Sequence, residues 1–316
     1  MHARWFHLRV LPTLVVVSAT LALTSPNLTG WEQDEKILYL SALDAKGNAV
    51  ADLKATDVLV REDNQDREVV SVKVSTQPLQ IVLLADTTKE AGDTGMMSRQ
   101  DTTAGAAELI RDIRVALTAF SRDIMAAIPG SKIEVMEFGQ AAVPVAKLTS
   151  NLADIEKGIN RLFPKPNADS VLLEAIVEAS KTLDKAKATR PVITVLNIEP
   201  SNEQSRQEPQ KMVEELQKSH AQLWAVSLQK TQSTNERRGV VLGTLTKNTG
   251  GRRESIVGQA ALENLFKQFA ANLLGQYEVT YRRPAGTKGG DRNRRRRRRK
   301  LGTRRSPARK SSRVFW

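Results

Sequence analysis

Apolar and polar positions change rhythm along this chain. Between Lys36 and Val74 the chain is strand-like: Ile37–Leu43, then the alternating stretches Val58–Glu62 and Val69–Val74, separated by the turn-forming clusters Asp44-Ala-Lys-Gly-Asn48 and Asp63-Asn-Gln-Asp66. Period-two alternation bounded by Gly, Asn and Asp predicts a small antiparallel β unit whose edges need cover from a neighbouring domain. From Gln77 onward the pattern is different. Ile133–Phe138 and Leu223–Leu228 are strand-like, and Gln80–Ala85 and Pro191–Leu196 are strand-length apolar runs without alternation. Such runs read as strands buried on both faces.

Segments of helical period lie between these strands. About Thr102 to Ile128 carries Leu109, Ile113, Leu117, Phe120, Ile124 and Ile128 on one stripe and stops at Pro129-Gly130. Ala153–Leu162, Ser170–Ala186, Glu208–Ser219, Arg237–Asn248 and Ala260–Leu274 read as further helices, and Tyr277–Tyr281 as the last strand. Strands alternating with helices of this length imply βαβ crossovers. The expected fold class is therefore α/β: a doubly wound, mainly parallel sheet with helices on both faces over residues 77–283, preceded by a linker and the small β unit over 25–76. Val143–Leu148 follows Ile133–Phe138 closely enough to form an antiparallel edge strand. Trp224, amid apolar neighbours, reads as core, and His220 as the end of a helix.

Charge alters this picture only at the C-terminus. Residues 282–316 hold 16 Lys+Arg against Asp291 alone, a net of +15, while the rest of the chain nets −2. The body shows no electrostatic footprint for nucleic acid. The Arg-rich segment 284–316 is predicted to be disordered, with an anionic polymer or lipid as the partner its charge would select. A shifted reading frame would produce the same composition. There are no cysteines, which excludes thiolate catalysis, thiolate-bound zinc and disulfides. Of three histidines, His2 and His7 lie in the leader, which leaves His220 alone in the body. That is a poor basis for a Ser-His-Asp triad or a multi-histidine metal centre. The leader, residues 1–24, combines Arg4 and Arg9 with an apolar stretch from Val10 to Leu23. It reads as a secretory signal, with an uncleaved N-terminal anchor as the alternative, and it predicts a secreted or periplasmic protein.

The apolar run Ile81–Ala85 ends abruptly in Asp86-Thr87-Thr88-Lys89-Glu90. Open α/β sheets bind ligands outside the carboxyl ends of their strands, so this cluster marks the expected site. No glycine-rich dinucleotide fingerprint follows the strand. On residue chemistry alone, Asp86 reads as a polar cap bonded to Thr88 or to a helix N-terminus. Ser170 with Glu174 reads as capping chemistry at the head of a helix.

The element order from Gln77 to Arg283 resembles a von Willebrand factor type A domain. The opening run Asp44-Ala-Lys-Gly…Val50…Leu53…Asp57–Asp63 and the exit strand Gln276-Tyr-Glu-Val-Thr-Tyr281 are similar to the VWFA-related family described from acidobacteria. The resemblance implies a protein-binding, adhesion-type module and a metal-ion-dependent adhesion site (MIDAS) holding Mg²⁺ through oxygen ligands. Carried onto this chain, the first motif, Asp-x-Ser-x-Ser, falls on Asp86, Thr88 and Glu90. The second falls on Ser170 and Glu174. The third falls on Ile198-Glu199, where an apolar Ile cannot ligate Mg²⁺. The site is thus expected to be degenerate: no cofactor is required, and Mg²⁺ is the ion it would take. The expectation is an extracytoplasmic, non-enzymatic protein-binding module acting through the rim loops Asp86–Ser98, Pro166–Ser170 and Asn197–Gln204. The alternatives are a metal-dependent hydrolase using the Asp86 rim and anionic-polymer binding through the tail.

Overall fold

The computed structural model describes residues 33–44, 47–88, 99–165, 167–229 and 235–284, with backbone alone over 99–107. The leader, most of the Asp86–Ser98 loop including Glu90, and the Arg-rich tail lie outside the described residues.

Within them, the chain runs β1 (Gln33–Leu40), β2 (Val60–Glu62), β3 (Gln65–Arg67), β4 (Val69–Val74), β5 (Gln80–Ala85), α1 (Arg99–Ala127), β6 (Lys132–Phe138) and β7 (Ala142–Thr149). It continues through α2 (Leu152–Ile159), α3 (Leu172–Lys185), β8 (Pro191–Glu199), α4 (Pro209–Ser219), β9 (Gln222–Gln229), α5 (Glu236–Asn248), β10 (Arg253–Val257), α6 (Leu262–Leu274) and β11 (Tyr277–Pro284). Six strands form the main sheet in the order β10-β9-β8-β5-β6-β7, all parallel but for the β6–β7 pair. This is the expected α/β class, with β5 and β8 at the centre and an antiparallel edge.

Alternation along the buried strands sends side chains into two cores. Ile81, Leu83 and Ala85 join α1, α2 and α6 on one face, where Trp224 and Phe269 meet edge to face at 5.1 Å. Val82 and Leu84 join α3, α4 and α5 on the other. Trp224 is fully buried, as the sequence implied. Among the described residues no helix is long and apolar enough to cross a membrane.

The structure departs from the sequence reading in four places. The Tyr277 strand belongs to the small sheet and not to the main one: β11 lies between β1 and β4, antiparallel to both. The small β unit is therefore completed by the C-terminal end of the described chain, which supplies the cover its edge required. Residues 253–257 form an unanticipated edge strand, β10, whose Arg253-Glu-Ser sequence carries no apolar run. Strand β8 extends to Glu199, three residues past the expected end, because Asn197 and Glu199 are polar yet buried. Finally, α3 begins at Leu172, so Ser170 precedes the helix rather than capping it.

The β2–β3 hairpin is tighter than the sequence suggested. Asp63 (φ 51°) and Asn64 (φ 62°) both take positive φ, the signature of a two-residue type I′ turn. Polar side chains join the two sheets. The Gln276 amide nitrogen donates to Ser41 Oγ (2.8 Å) and Gln222 Oε1 (2.6 Å). The buried Arg190 donates to Gln77 O at 3.2 Å, to Gln276 Oε1 at 2.9 Å and to Leu273 O. Burial pulls the Arg190 guanidinium down to about 10, with Tyr39 and Glu278 pulling weakly the other way.

Candidate functional site

Parallel strands end together, so β5, β8 and the segment before α3 bring their C-terminal residues to one rim. Asp86 follows β5, and its N–H donates to Leu196 O of β8 at 3.0 Å. Its carboxylate is fully buried and accepts three hydrogen bonds, one on Oδ1 and two on Oδ2. Oδ1 accepts the Thr88 N–H at 2.9 Å, which is the capping bond read from the sequence. Oδ2 accepts the Ile198 N–H at 2.9 Å and Arg238 Nη2 at 3.2 Å.

Arg238 stands at the centre of this arrangement. The Asn235 side chain caps α5 by accepting the Arg238 N–H at 3.1 Å, which fixes Arg238 in the first turn. A cation there opposes the helix dipole, so its position needs compensation. Three acids supply it. Besides Asp86, Arg238 Nε lies 3.7 Å from Glu199 Oε1 and 3.7 Å from Glu203 Oε2, with the side chains of Arg238, Glu199 and Glu203 all at 0–1% exposure. Nη1 donates to Ile198 O at 3.3 Å.

Each acid is held in turn. Glu199 accepts Asn197 Nδ2 at 2.8 Å and the Asn235 N–H at 3.2 Å. Burial pushes its carboxyl above the usual range, with Arg238 and the Asn235 N–H pulling against it. Asn197 Oδ1 accepts Ser227 Oγ at 2.9 Å, and Ser227 accepts Arg253 Nε at 3.3 Å. Glu203 accepts the Ser170 hydroxyl at 3.0 Å and the Ser205 N–H at 3.2 Å. Ser170 also pairs with the loop through its backbone: its N–H donates to Asn202 O at 2.8 Å and its carbonyl accepts the Gln204 N–H at 2.7 Å.

Of the residues expected at the site, Asp86, Thr88 and Ser170 meet at this rim. Ser170 bonds Glu203, whereas the cap of α3 comes from Ser205, whose hydroxyl accepts the N–H groups of Leu173 (3.1 Å) and Glu174 (3.3 Å). Glu174 turns to the Arg206 N–H at 2.9 Å. Glu90 lies outside the described residues. The Thr87 and Thr88 hydroxyls are buried and have no hydrogen-bond partner among the described residues. Arg238, Glu203 and Ser205 carried no role in the sequence reading. For Arg238 a signal existed: it shares the inward register of Leu242 and Leu245, four and seven positions on, so a charge occupied a core position.

Among the described residues, which leave out Glu90, the donor set does not suit a divalent ion. Both Asp86 oxygens are taken by N–H donors, Glu174 is engaged elsewhere, and a guanidinium lies among the acids. Among the described residues no group of three or more His, Asp or Glu is arranged to hold a metal.

The strand order, the antiparallel edge strand and the two helical layers define a doubly wound α/β fold. No family model matches the chain, and no curated protein matches it significantly. Solved structures are similar at low identity. A von Willebrand factor type A protein from Catenulispora acidiphila aligns with TM-score 0.47 and 11% identity, over 77% of this chain and 50% of that one. Proximal thread matrix protein 1 from the mussel byssus, with a zinc-occupied MIDAS motif, aligns at 0.46 and 11%, over 67% and 49%. BatB from Bacteroides thetaiotaomicron aligns at 0.41 and 10%, over 61% and 98%. The chain thus spans half the length of the first of these and about half of the second.

Proposed function

We propose that this protein is an extracytoplasmic, non-enzymatic module of the acidobacterial VWFA-related type that binds a protein partner at the C-terminal rim of its main sheet. One observation carries the reading. Phe163, 59% exposed, lies on the loop after α2, with the Arg114 guanidinium 4.3 Å from its ring centre. Arg114 is itself fixed by donating to Leu162 O, with Nε at 3.2 Å and Nη2 at 2.5 Å. The Lys165 N–H donates to Thr87 O at 2.9 Å, and Lys165 pairs with Glu137, so this loop is tied to the Asp86 segment. An exposed aromatic ring held by an arginine is the composition of an interface hot spot. The polar loop from Ser201 to Glu208 exposes Asn202, Gln204 and Arg206 and supplies a rim of hydrogen-bonding groups. The buried rim acids are engaged by internal donors, which supports binding over acid–base chemistry.

The test is site-specific photo-crosslinking in extracytoplasmic fractions of the source cell, with the probe at Phe163, at Asn202 and, as control, at Lys185 on the opposite end of the sheet. A discrete protein adduct from the first two positions and none from Lys185 is expected. Equal labelling from all three, or labelling from Lys185 alone, contradicts a rim site. Loss of the adduct on truncation after Arg283 transfers binding to the basic tail.

A further inference from the structure

The three segments that a metal-ion-dependent site would draw upon converge on one guanidinium. The first supplies Asp86, at 3.2 Å from Arg238 Nη2. The second supplies Ser170, acting through Glu203, whose Oε2 is 3.7 Å from Nε. The third supplies Glu199, also 3.7 Å from Nε, and the Ile198 carbonyl. We infer that Arg238 is the resident cation of this rim, so that the rim is built and maintained without a divalent ion.

The chemistry supports the assignment. Buried carboxylates need a counter-charge, and a planar fork can address several acceptors at once. Nη2 donates to Asp86 and Nη1 to the Ile198 carbonyl, while Nε lies 3.7 Å from both Glu199 and Glu203, within ion-pair distance but without a hydrogen bond. It is fully buried, so no position remains open through which a partner's carboxylate could complete its coordination. Recognition at this rim then depends on the surface loops and is indifferent to chelators. The inference stands apart from the proposed partner, because its test reads ions and stability rather than capture.

The full-length chain is titrated with Mn²⁺, followed by calorimetry and by loss of the free-ion paramagnetic resonance signal, and melted with and without EDTA. No saturable binding and an unchanged Tm are expected. Saturable Mn²⁺ binding abolished by Asp86→Asn would overturn the inference. The complementary variant is Arg238→Ala, which leaves Asp86, Glu199 and Glu203 facing the vacated volume. It is expected to melt at lower temperature and to recover Tm with Mn²⁺, with a dissociation constant of about 10⁻⁴–10⁻³ M, the weak end of oxygen-ligand sites. Arg238→Lys keeps a cation and is expected to ignore Mn²⁺ as the wild type does. An Arg238→Ala protein whose melting, or failure to fold, is the same at every Mn²⁺ concentration counts against a cationic role for this side chain.

Discussion

Removing the charge of Arg238 tests whether the rim is held by electrostatics or by packing. Asp86 Oδ2 lies 3.2 Å from Nη2, and both side chains are fully buried. At an effective dielectric constant of about 20, two unit charges at that separation attract by about 5 kcal/mol, from which desolvation must be subtracted. Arg238→Met keeps the length and apolar body of the side chain but strands three buried acids. Breaking one partner from a buried pair costs about 3–5 kcal/mol. Asp86→Asn retains the acceptor for the Thr88 N–H yet turns an amide group toward donors, at a cost of about 1–3 kcal/mol. If the two residues are coupled as the geometry indicates, the double variant loses less than the sum of the singles by about 2–3 kcal/mol. Urea unfolding followed by far-UV circular dichroism measures all four proteins, with an unchanged m-value as the check that only stability has moved. Additivity within about 0.5 kcal/mol would refute the coupling and reduce Arg238 to a space-filling residue.

Four further substitutions address the surrounding structure. Ser205→Ala removes the remote cap of α3 and is expected to cost about 1 kcal/mol, whereas Ser170→Ala should leave the stability of that helix to amide exchange unchanged while weakening the rim. Gly251→Ala would set a Cβ 1.9 Å from Leu223 O, a backbone atom that cannot yield, and is expected to cost about 3 kcal/mol or more in urea unfolding. Glu134, at 4% exposure, has its carboxyl pushed up by burial against the bonds from the Leu148 N–H and the Thr182 hydroxyl. Because the folded-state value lies above the unfolded one, the protonated form favours folding below the unfolded value, and that benefit is lost as pH rises through the folded value. Glu134→Gln should therefore raise Tm at pH 7 and lose that advantage in acid; a Tm difference independent of pH would contradict the burial argument.

Where a segment's own pattern decides its structure, the sequence was readable. The unbroken run Ile81–Ala85 meant burial on both faces, and the stripe from Leu109 to Ile128 meant a helix against the sheet. Where a partner decides, it was not. Tyr277–Tyr281 reads as a strand in any sheet, and only tertiary pairing sends it between β1 and β4. Strand β10 is an edge whose Arg253 and Glu254 carry no burial signal. The α3 cap comes from a loop some 30 residues away, beyond any local capping rule. Asn197 and Glu199 looked like loop because polarity at a strand end usually means exposure, whereas here each is satisfied from neighbouring elements.

The rim shows why a search for ligands can miss the ion they serve. Asp86, Thr88 and Ser170 stand out in the sequence as oxygen donors that meet in one place. The positive charge that balances the acids does not, because it lies on a helix 152 residues beyond Asp86. The requirement for it has a sequence-level form. Buried acids at a strand end, with too few legs for a metal, require a guanidinium on the inward stripe of some helix. Arg238 satisfies that condition through its spacing with Leu242 and Leu245. Arginine and lysine are not equivalent at this position. One plane carries Nη2 to Asp86 and Nη1 to the Ile198 carbonyl, with Nε 3.7 Å from Glu199 and Glu203 and not hydrogen-bonded, whereas an ammonium at the same depth is a point charge without that fixed two-pronged geometry. The geometry of the rim therefore selects arginine specifically, and its fork, rather than its charge alone, holds the ends of β5, β8 and the segment before α3 in register.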